Sequence, residues 1–494
     1  MTGITLRRLG LVAAGLSLRL ATLPRVPDID DSFLFVNGVI RFSILEIRPH
    51  WPSYPVYIWA GKAVAALVED PVLALHLVSA FSSALVAWPL AAVASAWTRS
   101  LGGTEAMAER AGLSAAALWL VSPVAWVTAS QIFSDALGML LGALVLALAA
   151  AGERNVRRSG LAWTLAAIVA GVMTGVRLVN VVMMGPLLWK AWRARGERWW
   201  GCPAPLSIGS AFLAGVVPWA VWLLSRGGID YVRGAEYHLQ GHFTRWGNSV
   251  FTDPHPLLRP FAALRTFVLY GLGAGSPALG WARPAVGVAW AVLFALAARQ
   301  RWRSPIAGLV ALWGIPQLAY LFLGHDITWP RYMLPAVALA ALLGGIASAR
   351  SPRMGAAALT MAVVTMAVVS QQLALSRRAS PLVEYAAAKY LETQPRAAVA
   401  VVDVPTLGFY LQFSPSVVWA NARCSQIETR RARWTADGLR VFATAPPPDP
   451  TGWRPVAHFC LDPLVDPRPP HELWLFARGP TTASDRPLGC GEAY

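Results

Sequence analysis

The sequence predicts an α-helical polytopic membrane protein with a small α/β domain at its C-terminal end. Of the 494 residues, 56% are hydrophobic and only 14% are charged, whereas soluble domains carry about 25% charged residues. Apolar runs of roughly 18 or more residues recur along the chain, and this is the length that a membrane-spanning helix needs. After residue 375 the composition shifts toward Pro, Arg and Asp, which marks the start of a different domain.

About eleven segments are predicted to span the membrane, with ends placed to within several residues. The first begins with Arg7 and Arg8 and resembles a signal peptide, but it lacks a small-residue cleavage site, so we predict a retained helix. The predicted spans are about 7–24, 71–97, 109–128, 132–151, 161–176, 178–193, 205–225, 284–299, 305–323, 331–349 and 355–374.

Basic residues between the spans predict the orientation of the chain, because cytoplasmic loops are enriched in Lys and Arg. The rule holds if segments 54–68 and 258–283 do not cross, and we predict both to lie in the outer interface. The N-terminus is then cytoplasmic. The residues that fall on the cytoplasmic side are Arg7, Arg8, Arg99, Arg110, Arg154, Arg157, Arg158, the 190–198 cluster, Arg299, Arg301, Arg303, Arg350 and Arg353. The net charge of +16 reflects these loops, and no nucleic-acid-binding motif accompanies it.

Two domains follow from this pattern: a membrane module over 1–375 and an extracytoplasmic domain over 376–494. Two outer loops of the membrane module, about 25–70 and 226–283, carry most of the informative polar residues. In the C-terminal domain a helix is predicted over 383–391 and a buried strand over 397–404. One disulfide among Cys424, Cys460 and Cys490 would suit an oxidising compartment, and the spacing does not choose the pair.

Asp30 and Asp31 stand out because the chain has only 26 acidic residues. A carboxylate beside a membrane can act as a general base on an attacking hydroxyl or amine. Two adjacent carboxylates can instead hold a divalent cation. A third reading is that one of them caps an amphipathic helix over 32–46. Apart from a divalent cation here, no cofactor is indicated.

The segment that follows, from His50 to Tyr57, is rich in Pro and aromatic rings and is predicted to begin extended. Its rings suit anchoring at the lipid interface, while His50 and Tyr54 could contact a substrate. Lys62, one or two helical turns further on, could meet a phosphate or extend toward lipid headgroups.

Several charged residues lie at the predicted outer ends of spans, where charges usually face a cavity or a partner. Arg177 sits at a turn between two spans, and Arg331 and Tyr332 open another span. Arginine can grip a phosphate through two parallel hydrogen bonds. The alternatives are interfacial anchoring for the arginines and a helix start for the segment before Pro335. Arg19, Asp135, His325 and Asp326 are further polar residues of these span ends.

These pieces, in this order, resemble the GT-C superfamily of polyprenyl-phosphate-dependent glycosyltransferases, above all its protein O-mannosyltransferase and lipid A aminoarabinose transferase branch. The likeness covers about 1–375, and the chain departs from the pattern at Asp31, where Glu is usual, at Trp51-Pro-Ser53 and at His76. The matching motifs are Arg19, Asp30-Asp31, His50-Trp-Pro-Ser-Tyr-Pro-Val-Tyr-Ile-Trp59, Ser134-Asp135-Ala-Leu-Gly, Gly175-Val-Arg177 and Arg331-Tyr-Met-Leu-Pro335.

The resemblance implies an enzyme that moves a sugar from a polyprenyl-phosphate donor to a lipid, glycan or protein acceptor outside the cytoplasm, with inversion. It implies Asp30 as the base with Asp31 as its partner. Substrate or phosphate binding would fall to His50, Tyr54, Lys62, Arg177, Arg331 and Tyr332. The rival interpretation is a transporter, flippase or ligase of lipid-linked sugars, but the sequence shows no inverted repeat. A bacterial inner membrane, with a periplasmic C-terminal domain, is the expected location.

Overall fold

The computed structural model describes residues 3–154, 159–245, 249–275, 282–300, 302–379, 382–461 and 471–478. The chain forms two compact units. The first unit contains residues 1–25 and 34–374, and the second contains residues 26–33 and 375–494. The short segment 26–33 therefore groups with the C-terminal residues, although it lies near the start of the sequence.

Helices build almost all of the first unit. In chain order they are α1 Gly3–Ala21, α2 Asp30–Ile40 (shared with the second unit), α3 Pro55–Val68, α4 Pro71–Leu85, α5 Ala87–Ser100, α6 Glu105–Val121, α7 Pro123–Ala129, α8 Asp135–Arg154, α9 Ser159–Val176, α10 Gly185–Arg193, α11 Ala204–Thr244, α12 Arg259–Thr266, α13 Ala282–Ala298, α14 Pro305–Gly324, α15 Leu334–Arg350 and α16 Pro352–Ala379 (also shared). A short hairpin of β1 Arg198–Trp199 and β2 Cys202–Pro203 precedes α11.

Local sequence signals explain where several helices begin. Proline occupies the first turn of α3 and α4, where its missing N–H would have no helical partner. The side chain of Asp70 caps α4 by accepting hydrogen bonds from the backbone of Val72 and Leu73. The hydroxyl of Ser304 caps α14 in the same way by accepting from the backbone of Ala307.

The apolar helices identify an integral membrane protein. Within the described ranges, seven helical stretches are long and apolar enough to cross a membrane, and the pair α6 and α7, bent by 59°, would make an eighth. The seven are Pro71–Ser100, Asp135–Arg154, Ser159–Val176, Ala204–Thr244, Pro305–Gly324, Pro330–Arg350 and Pro352–Thr393. The predicted helical class is confirmed, while the number of about eleven spans stays a prediction.

Two expected helices differ from the structure. The segment 178–193 is not one helix, because a 3₁₀ helix over Leu178–Met184 gives way to α10, where Pro186 can only start a new helix. The helix expected over 32–46 ends at Ile40. Beyond it, Ser43 and Arg48 exchange backbone hydrogen bonds across a turn, and Pro49 favours an extended Arg48.

Small residues let neighbouring helices of the first unit approach closely. A side chain at Gly171 of α9 would collide with the backbone of α11, and one at Gly215 of α11 would collide with the backbone of α9. Close packing of this kind is typical of helices in membranes. Within α11 the path of the chain changes at Gly228, whose φ of 49° suits glycine.

The second unit contains a five-stranded mixed sheet, so the predicted C-terminal sheet domain is present. The strands lie in the order β4 Val418–Asn421, β3 Ala397–Val401, β5 Arg440–Ala443, β7 Glu472–Arg478 and β6 Trp453–Cys460. β3 is parallel to β4 and β5, and the β5–β7 and β7–β6 pairs are antiparallel. The helices of this unit are α17 Val383–Thr393, α18 Pro405–Leu411 and α19 Ile427–Ala436. All five β3 residues are buried.

Candidate functional site

A small polar cavity opens among helix ends of the first unit. Asp135 begins α8, Arg177 directly follows α9, and His325 directly follows α14. The short 3₁₀ helix before α15 supplies Arg331 and Tyr332. The polar residues that line the cavity are Asp135, Arg177, Asn180, Gln317, His325, Arg331 and Tyr332. Helix ends thus bring together residues that are almost 200 positions apart.

One carboxylate and one hydroxyl link two arginines of this cavity. Arg177 Nη1 donates to Asp135 Oδ1 at 2.5 Å, and Arg331 Nε lies 4.0 Å from Asp135 Oδ2. The hydroxyl of Tyr332 accepts from Arg331 Nη2 at 3.1 Å and from Arg177 Nη2 at 3.5 Å. Two guanidinium groups beside a single carboxylate sum to a charge of +1, which favours an anion in a mostly buried place.

Aromatic rings fix the direction of the Arg331 guanidinium. Its central carbon lies 3.8 Å from the ring centre of Phe133 and 4.3 Å from that of Trp329. Stacked guanidinium groups gain cation–π attraction and keep their planar fork aligned. The cavity therefore presents Arg331 in one held orientation.

His325 contributes a neutral ring to the same place. It stacks on Tyr332 with ring centres 3.9 Å apart and planes inclined by 10°. Burial lowers the pKa of His325 well below its usual range, and electrostatic interactions with Arg177, His242 and Arg331 lower it further. The His325 imidazole is therefore neutral and adds no positive charge to that of the two arginines.

Asn180 adds a hydrogen-bond donor that is not yet used. Its side chain is 7% exposed, and its Nδ2 has no hydrogen-bond partner among the described residues. A buried amide without a protein partner is costly unless a ligand or a water molecule accepts its hydrogen bond. Sequence reasoning missed Asn180, because nothing in a lone Asn before an apolar run separates it from a turn residue.

The predicted substrate-binding residues His50, Tyr54 and Lys62 lie in the first unit, and His50 and Tyr54 belong to a cluster of aromatic rings. The His50 ring nitrogen Nε2 lies 3.0 Å from the Tyr54 hydroxyl. Both rings pack against Phe35, and the His50 ring also lies 6.1 Å from that of His238 in α11. Lys62 is exposed on α3. The substrate-binding roles of His50, Tyr54 and Lys62 stay predictions.

The acidic pair Asp30 and Asp31 belongs to the second unit. It forms the first turn of α2, where negative charge interacts well with the helix dipole, and Asp30 Oδ1 accepts from the backbone of Asp31 at 2.9 Å. Asp30 is exposed and Asp31 is half-buried. Asp28, which precedes the pair and was not among the predicted site residues, is buried.

Arg19 lies inside the first unit rather than at its surface. It is 1% exposed and donates to the Ser83 hydroxyl at 3.2 Å and to the Gly15 carbonyl at 3.1 Å. Ser83 in turn donates to the Ala125 carbonyl of α7 at 2.9 Å. Arg19 thus takes part in a buried network that holds α7.

Among the described residues, Asp30 and Asp31 are not part of a larger group of metal-binding side chains. Within the described ranges, no group of three or more His, Cys, Asp or Glu residues lies close enough to hold a metal ion. Of the cysteines, Cys460 is in a disulfide, while Cys202 and Cys424 are free. Cys490, like Arg157, Arg158 and Arg301, lies outside the described residues.

Comparison with known proteins finds one partial family match and several similar structures. Residues 42–199 match the sequence model of the protein O-mannosyl-transferase TMEM260 N-terminal domain. The matched segment is less than half of this chain. No curated protein sequence matches the chain. The crystal structure of ArnT from Cupriavidus metallidurans bound to undecaprenyl phosphate aligns with a TM-score of 0.57 and 14% identity, covering 97% of this chain and 99% of that one.

Two further solved structures belong to the same comparison. ArnT from Cupriavidus metallidurans in the apo state aligns at a TM-score of 0.55 and 15% identity, over 97% of this chain and 100% of that one. Arabinofuranosyltransferase AftD from Mycobacteria aligns at 0.47 and 16% identity, over 96% of this chain and 40% of that one. The ArnT structures show that the fold is shared. The match over residues 42–199 agrees with the predicted likeness to glycosyltransferases of the GT-C type.

Proposed function

We propose that this protein is a membrane glycosyltransferase that takes a sugar from a polyprenyl-phosphate donor and passes it to an acceptor at the outer face of a bacterial inner membrane. Undecaprenyl phosphate is bound in the ArnT structure, and the matching family description names O-mannosyl transfer to protein. The acceptor is a hydroxyl or amine of a lipid, a glycan or a protein. In this proposal the N-terminus is cytoplasmic and the C-terminal domain is periplasmic.

The observation that carries the proposal is the buried pair of arginines around Asp135. A lipid phosphate linked to a sugar is a monoanion, and the local charge of +1 matches it. Arg331 and Arg177 offer forked N–H groups of the kind that bind phosphate oxygens. The Tyr332 hydroxyl and the unused Asn180 amide add neutral donors beside them.

The same groups suit the leaving group of a transfer reaction. The acceptor loses its proton to the carboxylate of Asp30, and its oxygen or nitrogen attacks the anomeric carbon. The bond from that carbon to the phosphate oxygen breaks, and its electron pair stays on the lipid phosphate. Fixed arginines stabilise this developing charge without reorganising. One displacement inverts the configuration at the anomeric carbon, with Asp31 as a second carboxylate beside the base.

The proposal is tested with the full chain in liposomes and a radiolabelled polyprenyl-phosphate sugar. The wild type should yield labelled acceptor and free polyprenyl phosphate. Arg331→Gln should lower kcat/KM for the donor about tenfold to a hundredfold, the effect of a lost charged hydrogen bond. Arg233→Gln, at an arginine whose side chain is 74% exposed, is the matched control and should behave as wild type.

Two outcomes would contradict the proposal. Intact lipid-linked sugar that crosses the bilayer without transfer would favour the flippase alternative. An Arg331→Gln variant that is folded and transfers sugar at the wild-type kcat/KM would remove the arginine pair from donor binding.

A further inference from the structure

A buried ion pair connects the acidic turn to the C-terminal residues of the second unit. Arg377 Nη2 donates to Asp28 Oδ2 at 2.8 Å, and the two side chains are only 4% and 3% exposed. Burial strengthens the attraction between the charges, and removal of one partner leaves the other charge buried and uncompensated. Such a pair holds Asp28 in one place far more firmly than an exposed pair would.

Two other kinds of contact hold the same segment. The hydroxyl of Tyr410 donates to the Pro27 carbonyl at 2.7 Å. The Phe33 ring packs against the rings of Phe409, Tyr410 and Phe413, with ring centres 5.5, 5.0 and 5.8 Å away. The segment is therefore held at three residues: Asp28 by the ion pair, Pro27 by the hydrogen bond and Phe33 by the aromatic cluster.

Asp30 and Asp31 lie between these points of attachment. The Ser32 hydroxyl donates to Asp28 Oδ1 at 2.9 Å, which ties the first turn of α2 to the buried carboxylate. The candidate base is thus fixed on both sides by residues from α16 and α18. A displacement of the segment would move both carboxylates together.

We propose that Arg377 and Tyr410 are positioning residues that set the place of Asp30 and Asp31 for catalysis, and that this is a task of the C-terminal domain. The proposal rests on the proposed function, because it takes the acidic turn to carry the general base. It assigns the ion pair between Asp28 and Arg377 to orientation of the base rather than to donor binding.

The kinetic test compares Arg377→Ala, Arg377→Lys and Tyr410→Phe in the full chain. Arg377→Ala should lower kcat about a hundredfold, which is typical of a misplacement of about 1 Å. Tyr410→Phe keeps the aromatic packing and should lower kcat about fivefold, as expected for one hydrogen bond. KM for the donor should stay unchanged, and Arg377→Lys should recover part of kcat. Lys389→Ala removes an exposed ion pair of the same unit and serves as control.

Hydrogen–deuterium exchange of peptides covering 26–36 provides a second measurement that does not depend on activity. Faster exchange there in Arg377→Ala and Tyr410→Phe, with unchanged exchange in β3 and β5, would support the attachment and show that the variants are folded. Wild-type kcat and wild-type exchange in both variants would overturn the inference. Faster exchange combined with full activity in Asp30→Asn and Asp31→Asn would instead reject the base of the proposed function while keeping the attachment.

Discussion

Asp30 and Asp31 differ in their surroundings, and this difference separates their expected roles. Asp30 is exposed, so an acceptor can reach its carboxylate, whereas Asp31 is half-buried. A general base contributes about 10² to 10⁴ in rate. We expect Asp30→Asn to lower kcat at least about a hundredfold and Asp31→Asn to lower it less. Transfer from a radiolabelled donor measures both.

Normal membrane insertion of the two variants is the necessary control for that comparison. If Asp30→Asn keeps full activity and Asp31→Asn loses it, Asp31 is the base. If EDTA abolishes transfer and Mg²⁺ restores it, Asp30 and Asp31 become candidate metal ligands. Asp30→Asn and Asp31→Asn should then need a higher Mg²⁺ concentration to restore transfer.

His325 should make stability depend on pH. Burial and then the neighbouring positive charges lower its pKa well below 6.5. The folded state therefore binds fewer protons than the unfolded state between that lowered value and about 6.5. Its contribution to stability is complete above about pH 6.5 and is lost as the pH falls below it, by up to about 1.4 kcal/mol per pH unit.

Thermal unfolding in detergent at pH 7.5 and pH 5.5 measures this dependence. His325→Gln should unfold at a temperature that depends less on pH than that of the wild type, while the exposed His255 replaced by Gln should keep the wild-type dependence. An equal pH dependence in all three proteins would show that His325 does not govern stability in this range.

The sequence predicted Arg177, Arg331 and Tyr332 as phosphate-binding residues, and the structure places all three in one cavity. Their common signal was position at the end of an apolar run. What the sequence could not provide was Asp135 as the shared partner of both arginines, because the pairing depends on how α8, α9 and α15 end in space. The position of Asn180 in the cavity and the stacking of rings on Arg331 also depend on how the helices are arranged in space, so the sequence did not predict them.

At the scale of helices, the close approach of α9 and α11 is a sensitive packing feature. The Cβ of any other residue at Gly215 would collide with the Ile168 carbonyl of α9. Overpacking of a tight contact costs typically about 1–3 kcal/mol. Gly215→Leu should therefore lower the unfolding temperature in detergent.

Gly209→Ala is the matched control in the same helix, since a Cβ there meets no atom within 4 Å. It should leave the unfolding temperature unchanged or raise it, because alanine favours helix over glycine by up to about 1 kcal/mol. A Gly215→Leu protein as stable as Gly209→Ala would show that α9 and α11 can separate without loss.

The ends of helices could be predicted from the sequence where a capping side chain or a proline determines them. They were harder to predict where contacts in the folded protein determine them. Capping by Asp70 and Ser304 follows directly from local sequence. The early end of α2 does not, because its apolar spacing continues to Ile44 while ion pairs of Glu46 with Arg41 and Arg48 stabilise a turn instead.

At the scale of the whole molecule, composition alone predicted a helical membrane protein, and the order of weak motifs predicted the likeness to glycosyltransferases that the comparisons found. Neither predicts that segment 26–33 groups with residues 375–494. That grouping rests on Asp28 and Arg377, 349 positions apart, and on Tyr410. Contacts over such separations leave no periodic pattern in a single sequence.

The proposed orientation can be tested with cysteines that the chain already has. Cys202 is exposed beside the basic 190–198 cluster, which is predicted to be cytoplasmic. With Cys424 replaced by Ser, Cys202 should react with a membrane-impermeant maleimide only after cells are permeabilised. In a background that lacks both free cysteines, Leu257→Cys, at a residue that is 88% exposed in the second predicted outer loop, should react in intact cells. Labelling of Cys202 in intact cells, with Leu257→Cys protected, would reverse the orientation and place the arginine cavity on the cytoplasmic side.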